Sequence, residues 1–212
     1  PASAEFLKMQ DDFLREMTAM KGIVDAADLS ASSSDERLVL WQGDITRLKC
    51  DAIVNAANSQ MLGCFSPCHG CIDNIIHTMS GVQLRLSCHE IMQAQGHEEP
   101  TGQAKITPGF NLPSKYVLHT VGPIVDGPLT CEHEQLLASC YRSCLDLASQ
   151  KNCESIAFCC ISTGVFCFPA DRAAEIAVQT VKDYLQNPGS LQRVIFNVFK
   201  NSDLEIYQNM LS

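Results

Sequence analysis

The chain has 212 residues, of which 46% are hydrophobic and 18% charged, so it is long enough to bury one sizeable core and too apolar to be disordered. Its formal net charge of −9 argues against a general nucleic-acid binder, because such proteins carry a basic surplus that neutralises phosphates. We expect no membrane association, since no apolar run approaches the roughly 20 residues of a spanning helix, and a cytoplasmic location, since the N-terminus lacks a signal-peptide pattern.

The apolar pattern predicts an N-terminal helix followed by alternating strands and helices. Helical spacing places the first helix over 5–20, and the small polar stretch 26–37 has the character of a linker. Buried strands are predicted at 38–42, 52–55, 115–119, 155–160 and 193–198, and further helices at 73–94, 132–150, 170–184 and 203–211. This alternation predicts a three-layer α/β/α domain over 38–212, preceded by an extension over 1–37.

Two loops of this predicted fold are candidate ligand sites, because ligands of α/β proteins bind where strands end and helices begin. The first loop runs over 55–73 and the second over 161–169. Backbone N–H groups of the second loop, with a helix N-terminus behind them, are suited to a phosphate. An ordinary strand-to-helix connection is the alternative interpretation of the second loop.

The first loop concentrates side chains that bind metals. Cys64, Cys68, His69 and Cys71 lie within eight residues, whereas most of the other cysteines are expected to be reduced core residues. A catalytic zinc site takes three protein ligands and keeps one position open, and a fourth protein ligand would close it. Spacing alone leaves open whether Cys68 joins the other three and whether these side chains bind a metal at all.

Four stretches, in this order along the chain, together resemble the macrodomain family, whose members bind ADP-ribose. They are QGDIT at 42–46, DAIVNAANS at 51–59, HTVGP at 119–123 and ISTGVF at 161–166. The resemblance covers 38–212 and implies a three-layer α/β/α macrodomain with a mixed central sheet. The helix within 1–37 lies outside the general family pattern.

One stretch departs from the usual family pattern. Hydrolytic macrodomains carry a glycine-rich stretch after the Asn-Ala-Ala-Asn motif, and here GCFSPCHGCIDN at 63–74 replaces it. This stretch and the N-terminal helical extension resemble the zinc-dependent macrodomain subgroup. That subgroup removes mono-ADP-ribose from acidic side chains of modified proteins and is often paired with a sirtuin-type ADP-ribosyltransferase. The resemblance implies that Zn²⁺ is held by Cys64, His69 and Cys71.

The resemblance also implies roles for acids and amides near the strand ends. Asp73 is the implied general base or ribose-orienting carboxylate, with a helix N-cap or an acid in the first helical turn as its structural alternative. Asn58 and Asn55 are implied to hold the distal ribose, with loop bracing as the alternative for Asn55. Asp44 and the backbone of Ile45 are implied at the adenine, although Asp44 also fits a helix cap.

Further binding residues are implied at the diphosphate and at the adenine. The diphosphate cradle comprises Ser162, Thr163, Gly164, Val165 and Phe166, acting mostly through backbone N–H groups. Phe199 and Asn201 are implied to border the adenine, although an aromatic residue at a strand end is more often part of the core. His77, one turn beyond Asp73 on the same face, is interpreted as a structural histidine or one that supports the site.

The resulting hypothesis is a zinc-dependent hydrolase that removes mono-ADP-ribose from Asp or Glu side chains of modified proteins, with Asp73, Asn58 and Asn55 as its catalytic residues. A non-catalytic ADP-ribose reader, in which the metal loop only orders the site, is one alternative. A hydrolase of small esters such as O-acetyl-ADP-ribose is another. The sequence also leaves open whether the zinc activates water or holds a ribose hydroxyl.

Overall fold

A computed structural model describes residues 2–212 as alternating strands and helices. The strands are β1 (Val24–Asp25), β2 (Leu38–Gln42), β3 (Leu48–Lys49), β4 (Ala52–Ala57), β5 (Ala104–Pro108), β6 (Tyr116–Val121), β7 (Ser155–Phe158) and β8 (Arg193–Val198). The helices are α1 (Ala4–Lys21), α2 (Ile72–Ser80), α3 (Val82–Gln95), α4 (Cys131–Gln150), α5 (Ala170–Tyr184) and α6 (Asn201–Leu211), with short 3₁₀ turns at Ala26–Asp28 and Ile45–Arg47. None of the helices in this described part combines the length and hydropathy that a membrane span requires.

Six of the strands form a mixed central sheet. Their order is β2-β8-β7-β4-β6-β5, and all neighbours are parallel except β5, which runs antiparallel to β6. Consecutive residues along β4, β6 and β8 are almost all buried although they point to opposite faces, so helices cover the sheet on both sides. The predicted three-layer α/β/α arrangement is therefore confirmed.

The predicted strands and helices are all present, but one predicted helix is divided in two and three strands, β1, β3 and β5, were not predicted. The single helix predicted over 73–94 is two helices, because Gly81 adopts φ 94° and its N–H bonds to the His77 carbonyl, which ends α2. Strand β5 was not predicted. It contains Lys105, ends at Pro108 and forms the antiparallel edge of the sheet, where proline is tolerated and the hydrophobic pattern is weak.

The N-terminal segment is attached to the main domain at several points. Helix α1 is capped by the Ser3 hydroxyl, and its Gln10 side chain bonds to Gln83 and to the backbone of α3. Strand β1 pairs in parallel with β3. Arg193 donates hydrogen bonds to two carbonyl oxygens within the predicted linker 26–37, so this stretch is a fixed connection.

Candidate active site

The implied binding residues follow the carboxyl ends of neighbouring parallel strands. Asp44 lies just beyond β2, Asn58 beyond β4, Ser162 beyond β7 and Phe199 beyond β8. Since these strands are parallel, their carboxyl ends share one edge of the sheet. That edge is where ligands of open α/β sheets bind.

Three of the four candidate metal ligands come together in the first loop. The ligand atoms of Cys64, His69 and Cys71 lie within 4.8 Å of one another, and the Cys64 Sγ lies 3.5 Å from the His69 Nδ1. Cys68 is exposed, has a left-handed backbone (φ 56°) and does not belong to this group. Two thiols and one imidazole suit zinc, and the group is partly exposed to solvent. The three residues therefore fit an open, three-ligand zinc site.

The two thiols of this group differ in acidity. Hydrogen bonds from the backbone of Ser66 and from His69 lower the pKa of the Cys64 thiol. Burial raises the pKa of the Cys71 thiol, although an N–H bond from Asn74 opposes that effect. A bound dication would favour the thiolate form of both, because coordination deprotonates a thiol.

Asp73 is held by two asparagine side chains at the start of α2. Its carboxylate is buried, Oδ1 accepts from the Asn55 Nδ2 at 2.8 Å, and Oδ2 accepts from the Asn58 Nδ2 at 3.2 Å. The helix cap is Cys71, whose Sγ accepts the Asn74 N–H at 3.4 Å. Asp73 is therefore not the helix cap, but it is an acid in the first turn of α2, as its structural alternative also allowed. Its two oxygens accept from Asn55 of β4 and from Asn58 just beyond that strand.

The electrostatic surroundings of Asp73 are mixed. Burial raises the pKa of this carboxyl, and the Asn55 hydrogen bond and the positive charge of Arg85 oppose the rise. His77 Nε2 lies 3.5 Å from the Asp73 Oδ1, but burial lowers the pKa of His77 to about 4, so the ring is neutral near pH 7 and the two do not form an ion pair. Neither nitrogen of His77 has a hydrogen-bond partner.

Gly63 makes room for His77 beneath the metal loop. A Cβ at this position would lie 2.9 Å from the Cγ of His77 and 3.2 Å from a guanidinium nitrogen of Arg85, and its φ of 81° also favours glycine. Arg85 in turn stacks on the ring of Phe65 at 4.7 Å from its centroid. The metal loop thus rests on His77 and Arg85, which the α2 and α3 helices supply.

Sequence reasoning assigned no role to His119, although it lies in the HTVGP stretch. His119 is fully buried, it is the register partner of Asn55 across β4 and β6, and its Nδ1 lies 3.2 Å from the Asn55 Nδ2. Asn55 therefore lies within a strand, and its amide lies between the Asp73 carboxylate and the His119 ring. A polar residue inside an otherwise apolar strand is the signal that marks both positions.

Asp44 has a local structural role at the implied adenine end. Its Oδ1 accepts the Thr46 N–H at 3.0 Å and the Thr46 hydroxyl at 2.6 Å, so the helix-cap alternative is confirmed for the 3₁₀ turn that follows. Its Oδ2 lies 3.8 Å from the Lys21 Nζ of α1, a neighbour that sequence reasoning missed. The Ile45 side chain is in the core, which leaves only its backbone to face a ligand.

In the second loop the two hydroxyl side chains differ in whether they have a hydrogen-bond partner. Ser162 has φ 65° and a buried Oγ without a hydrogen-bond partner, while the Thr163 hydroxyl bonds to the Cys160 carbonyl. Gly164 and Val165 are exposed. The chain at Gly122 approaches this loop closely, since a Cβ there would lie 2.0 Å from the Ser162 Oγ.

The remaining implied residues surround the ends of β7 and β8. Phe166 is half-buried, and its carbonyl accepts the Val125 N–H at 2.9 Å. The Phe199 side chain is 76% exposed, so the core alternative for this aromatic residue is wrong. The Gln42 amide donates to the Phe199 carbonyl at 3.1 Å and to the Asn201 Oδ1 at 2.9 Å, which holds these residues beside the end of β2.

Comparison with known protein sequences gives concordant matches. A model of the Macro domain family matches residues 54–177. A "Protein-ADP-ribose hydrolase" of Treponema medium is 58% identical over 212 residues, covering 99% of this chain and 81% of that protein. A Fusarium oxysporum f. sp. cubense protein named "Probable bifunctional ADP-ribose hydrolase/ADP-ribosyltransferase" is 48% identical over 200 residues, covering 89% of this chain and 33% of that protein.

Solved structures show the same fold. An Oceanobacillus iheyensis macrodomain mutant with ADPR superposes with a TM-score of 0.75 at 41% identity, covering 82% of this chain and 91% of that chain. The Trypanosoma brucei macrodomain in complex with ADP-ribose superposes with a TM-score of 0.78 at 31% identity, covering 100% of this chain and 92% of that chain. From the family model, these relatives and the shared fold together, we conclude that the chain belongs to the macro domain family.

Proposed function

We propose that this chain is a zinc-dependent hydrolase that removes mono-ADP-ribose from Asp or Glu side chains of modified proteins. The observation that carries the proposal is the juxtaposition of an open ligand group with a buried carboxylate. Cys64, His69 and Cys71 gather at the start of α2, and Asp73 follows them in the first turn of that helix. The name of the Treponema medium relative supports the activity.

The residues that would hold the metal are Cys64, His69 and Cys71. When bound, zinc would supply a Lewis acid with one open position for a water or a ribose hydroxyl. Because Cys68 lies outside the ligand group, the chain offers three protein ligands, which is the number expected for a catalytic site.

Asp73 is suited to accept a proton or to orient a ribose hydroxyl. Asn55 and Asn58 fix both carboxylate oxygens, so the side chain cannot rotate freely. The Asn58 Nδ2 also contacts the Gly63 carbonyl, and both of its hydrogen bonds measure 3.2 Å. Both distances are at the long end of the range for hydrogen bonds. A ribose hydroxyl could therefore replace one of these acceptors and receive the Asn58 N–H next to Asp73.

The remaining parts of ADP-ribose would lie along the same edge of the sheet. Backbone N–H groups of 162–166, ahead of the α5 N-terminus, would receive the diphosphate. The Asp44 Oδ2 is not used by Thr46 and would accept the adenine amino group, with the exposed Phe199 ring beside the base. This arrangement needs no basic side chain, which agrees with the net charge of −9.

We also propose that this hydrolase acts with a sirtuin-type ADP-ribosyltransferase in the cytoplasm. The Fusarium oxysporum relative is named for both a hydrolase and an ADP-ribosyltransferase, which supports a functional pairing of the two activities. The twelve cysteines are all free in the structure, as expected for a reducing compartment. The ADP-ribosylated target protein would be the partner of both enzymes.

The test compares wild type, Cys64→Ala and the matched control Cys68→Ala. Cys64 belongs to the ligand group and Cys68 does not, so only Cys64→Ala is expected to lose bound zinc. Release of ADP-ribose from an Asp/Glu-modified protein and from O-acetyl-ADP-ribose would be measured with zinc content and ADP-ribose affinity on the same samples. We expect one zinc per chain and turnover of the modified protein, both lost in Cys64→Ala and kept in Cys68→Ala.

The alternatives give different results in the same experiment. Tight ADP-ribose binding without turnover of either substrate by the zinc-loaded wild type would identify a reader. Turnover of O-acetyl-ADP-ribose alone would identify a small-ester hydrolase. Turnover that is unchanged in zinc-free Cys64→Ala would refute the zinc dependence.

A further inference from the structure

A series of hydrogen-bonded, buried side chains connects Asp73 to β5, an edge strand of the sheet. The Asn55 Nδ2 lies 2.8 Å from the Asp73 Oδ1 and 3.2 Å from the His119 Nδ1. On the far side of the imidazole, His119 Nε2 lies 2.9 Å from the Thr107 Oγ1, which is 3.5 Å from the Val117 carbonyl. Asn55, His119 and Thr107 are each at most 2% exposed, so water does not compete for these bonds.

When Asp73 is ionised, the hydrogen-bond donors and acceptors of Asn55, His119 and Thr107 can be arranged in only one consistent way. A carboxylate only accepts, so the Asn55 amide group that faces Asp73 must be its NH₂, which carries two hydrogens. The second hydrogen points to the His119 Nδ1, which must therefore be unprotonated. Burial lowers the pKa of His119 to about 3, so the ring is neutral and its single proton lies on Nε2, where it is donated to Thr107.

We propose that His119, oriented by Thr107, is a positioning residue that fixes the Asn55 amide so that it donates to Asp73. His119 is fully buried behind Asn55, so it acts on the site through the Asn55 amide. If Nδ1 no longer accepted, the second Asn55 hydrogen would be buried without a partner, and rotation of the amide would place its oxygen against the carboxylate. The proposal rests on the role given to Asp73 in the proposed function.

The same cluster contains residue types that bind metals, but the hydrogen bonds argue against a second metal site. His77, Cys88 and His119 bring their ligand atoms within 4.8 Å of one another. The His119 nitrogen on that side is Nε2, 3.7 Å from the Cys88 Sγ, and it carries the proton that bonds to Thr107. A protonated nitrogen has no lone pair for a metal, so we assign the cluster to positioning.

The first test replaces His119 in two ways that separate its two ring nitrogens. In His119→Asn the new Oδ1 replaces Nδ1 as the acceptor for Asn55, whereas His119→Gln reaches Thr107 but offers Asn55 no acceptor. We expect His119→Gln to lower kcat for the modified protein about 10- to 100-fold with KM and ADP-ribose affinity nearly unchanged, because a misplaced catalytic group costs rate. His119→Asn should retain most of kcat. Equal losses in both variants that follow their loss of stability would contradict the proposal.

A second pair of variants leaves His119 in place. Thr107→Val removes the acceptor of the Nε2 proton and Thr107→Ser keeps it, so only the valine variant should lower kcat. Cys88→Ala is the matched control, since Cys88 is fully buried and touches His119 without holding the tautomer. A fall in kcat for Cys88→Ala as large as for Thr107→Val would show that packing around the ring is what matters.

The tautomer itself can be measured on the wild-type protein, independently of turnover. The ¹⁵N spectrum of labelled His119 should show a proton on Nε2 and none on Nδ1, and the Asn55 side-chain amide should shift in His119→Gln. A proton on Nδ1 would overturn the proposal even in an active enzyme. If the wild type releases no ADP-ribose, the proposed function fails, and these spectra still decide whether His119 orients Asn55.

Discussion

The parallel strands of the central sheet begin on one side, called here the amino edge, and end on the other, the carboxyl edge. These two sides differ in how their polar groups are hydrogen-bonded. At the amino edge lies a groove of about 860 Å³ whose lining includes Asp51, Lys115, Glu154 and Arg193. The Asp51 carboxylate there pairs with the Lys115 ammonium at 2.5 Å and accepts the backbone N–H groups of Glu154 and Ser155. Arg193 is bonded to carbonyl oxygens of the N-terminal segment. These charges hold the fold together.

The carboxyl edge has the opposite character. Asn55 Oδ1, Ser162 Oγ and both nitrogens of His77 are buried there without hydrogen-bond partners. In the connection between β5 and β6, at the other end of the sheet, Asn111 Oδ1 and the Ser114 hydroxyl share this property. An unsatisfied buried polar group costs about 1–3 kcal/mol, so the fold gives up stability at the carboxyl edge. Charged groups at the amino edge are already paired, whereas unused hydrogen-bonding groups lie next to Asp73 and in the second loop at the carboxyl edge, where a ligand could use them.

The largest expected effect follows from removing the carboxylate at the carboxyl edge. Asp73→Asn keeps the shape of the side chain and one acceptor for Asn55 but cannot accept a proton. We expect release of ADP-ribose from a modified protein to fall about 100- to 10,000-fold, the contribution of a general base. Single-turnover kinetics at saturating enzyme would check the loss. Retention of more than about a tenth of the rate would show that Asp73 does not act as a base.

An aspartate-to-asparagine substitution at the amino edge should lower the stability of the protein without lowering its activity. Asp51→Asn weakens the Lys115 pair and two bonds from backbone N–H groups. Hydrogen bonds to a charged group contribute about 1.5–3 kcal/mol each, so we expect a loss of unfolding free energy of that order, measured by chemical denaturation. The rate should remain at the wild-type value, and a comparable rate loss would contradict the contrast between the two edges.

The parts of the fold predicted from sequence are those encoded by local pattern. Strands 38–42 and 193–198 were predicted with the observed bounds, because each is a short, mainly apolar run; β8 is buried almost throughout and β2 over its first two residues. The break between α2 and α3 was not predicted, because an apolar stripe continues across Gly81. A Cβ there would lie 2.6 Å from the Gln10 amide of α1, so a tertiary contact as well as the backbone requires glycine.

In the candidate site, too, the residues that are neighbours in sequence were predicted and the contacts between distant residues were not. The group of Cys64, His69 and Cys71 was recognised because its members are neighbours in sequence, and loop closure over so few residues costs little. The contact between Asn55 and His119 joins residues 64 positions apart. It depends on the register of β4 against β6, which no local pattern in either strand specifies. The roles of the site residues in catalysis stay predictions.

Buried histidines beside the carboxyl edge should make stability sensitive to acid. Burial lowers the pKa of His77 to about 4 and of His119 to about 3, whereas an unfolded histidine titrates near about 6.5. The unfolded state therefore binds more protons below that pH. The free energy of unfolding is fully maintained above about pH 6.5 and falls as pH drops toward 4, by about 2 kcal/mol per histidine at pH 5.

Denaturation of wild type and His77→Gln at pH 7 and pH 5 would measure this contribution. The drop between the two pH values should be about 2 kcal/mol smaller in His77→Gln, and comparison of the two proteins cancels the titration of the metal loop. His89→Gln is the control, because His89 is exposed and its substitution removes no buried ring. An equal drop in His77→Gln and wild type would mean that His77 is not buried as a neutral ring.

The smallest expected effect concerns the approach of Gly122 to the second loop. In Gly122→Ala the new methyl group would lie 2.0 Å from the Ser162 Oγ and 2.8 Å from a methyl carbon of Ile161, so the loop must move. Overpacking of this kind costs about 1–3 kcal/mol, and we expect ADP-ribose affinity to fall about tenfold by calorimetry. Gly127→Ala meets no atom within 4 Å and should bind as wild type does. If Gly122→Ala lost stability but kept its affinity, the backbone of 162–166 would not be the diphosphate cradle, and the unpartnered Ser162 hydroxyl would no longer mark a ligand site.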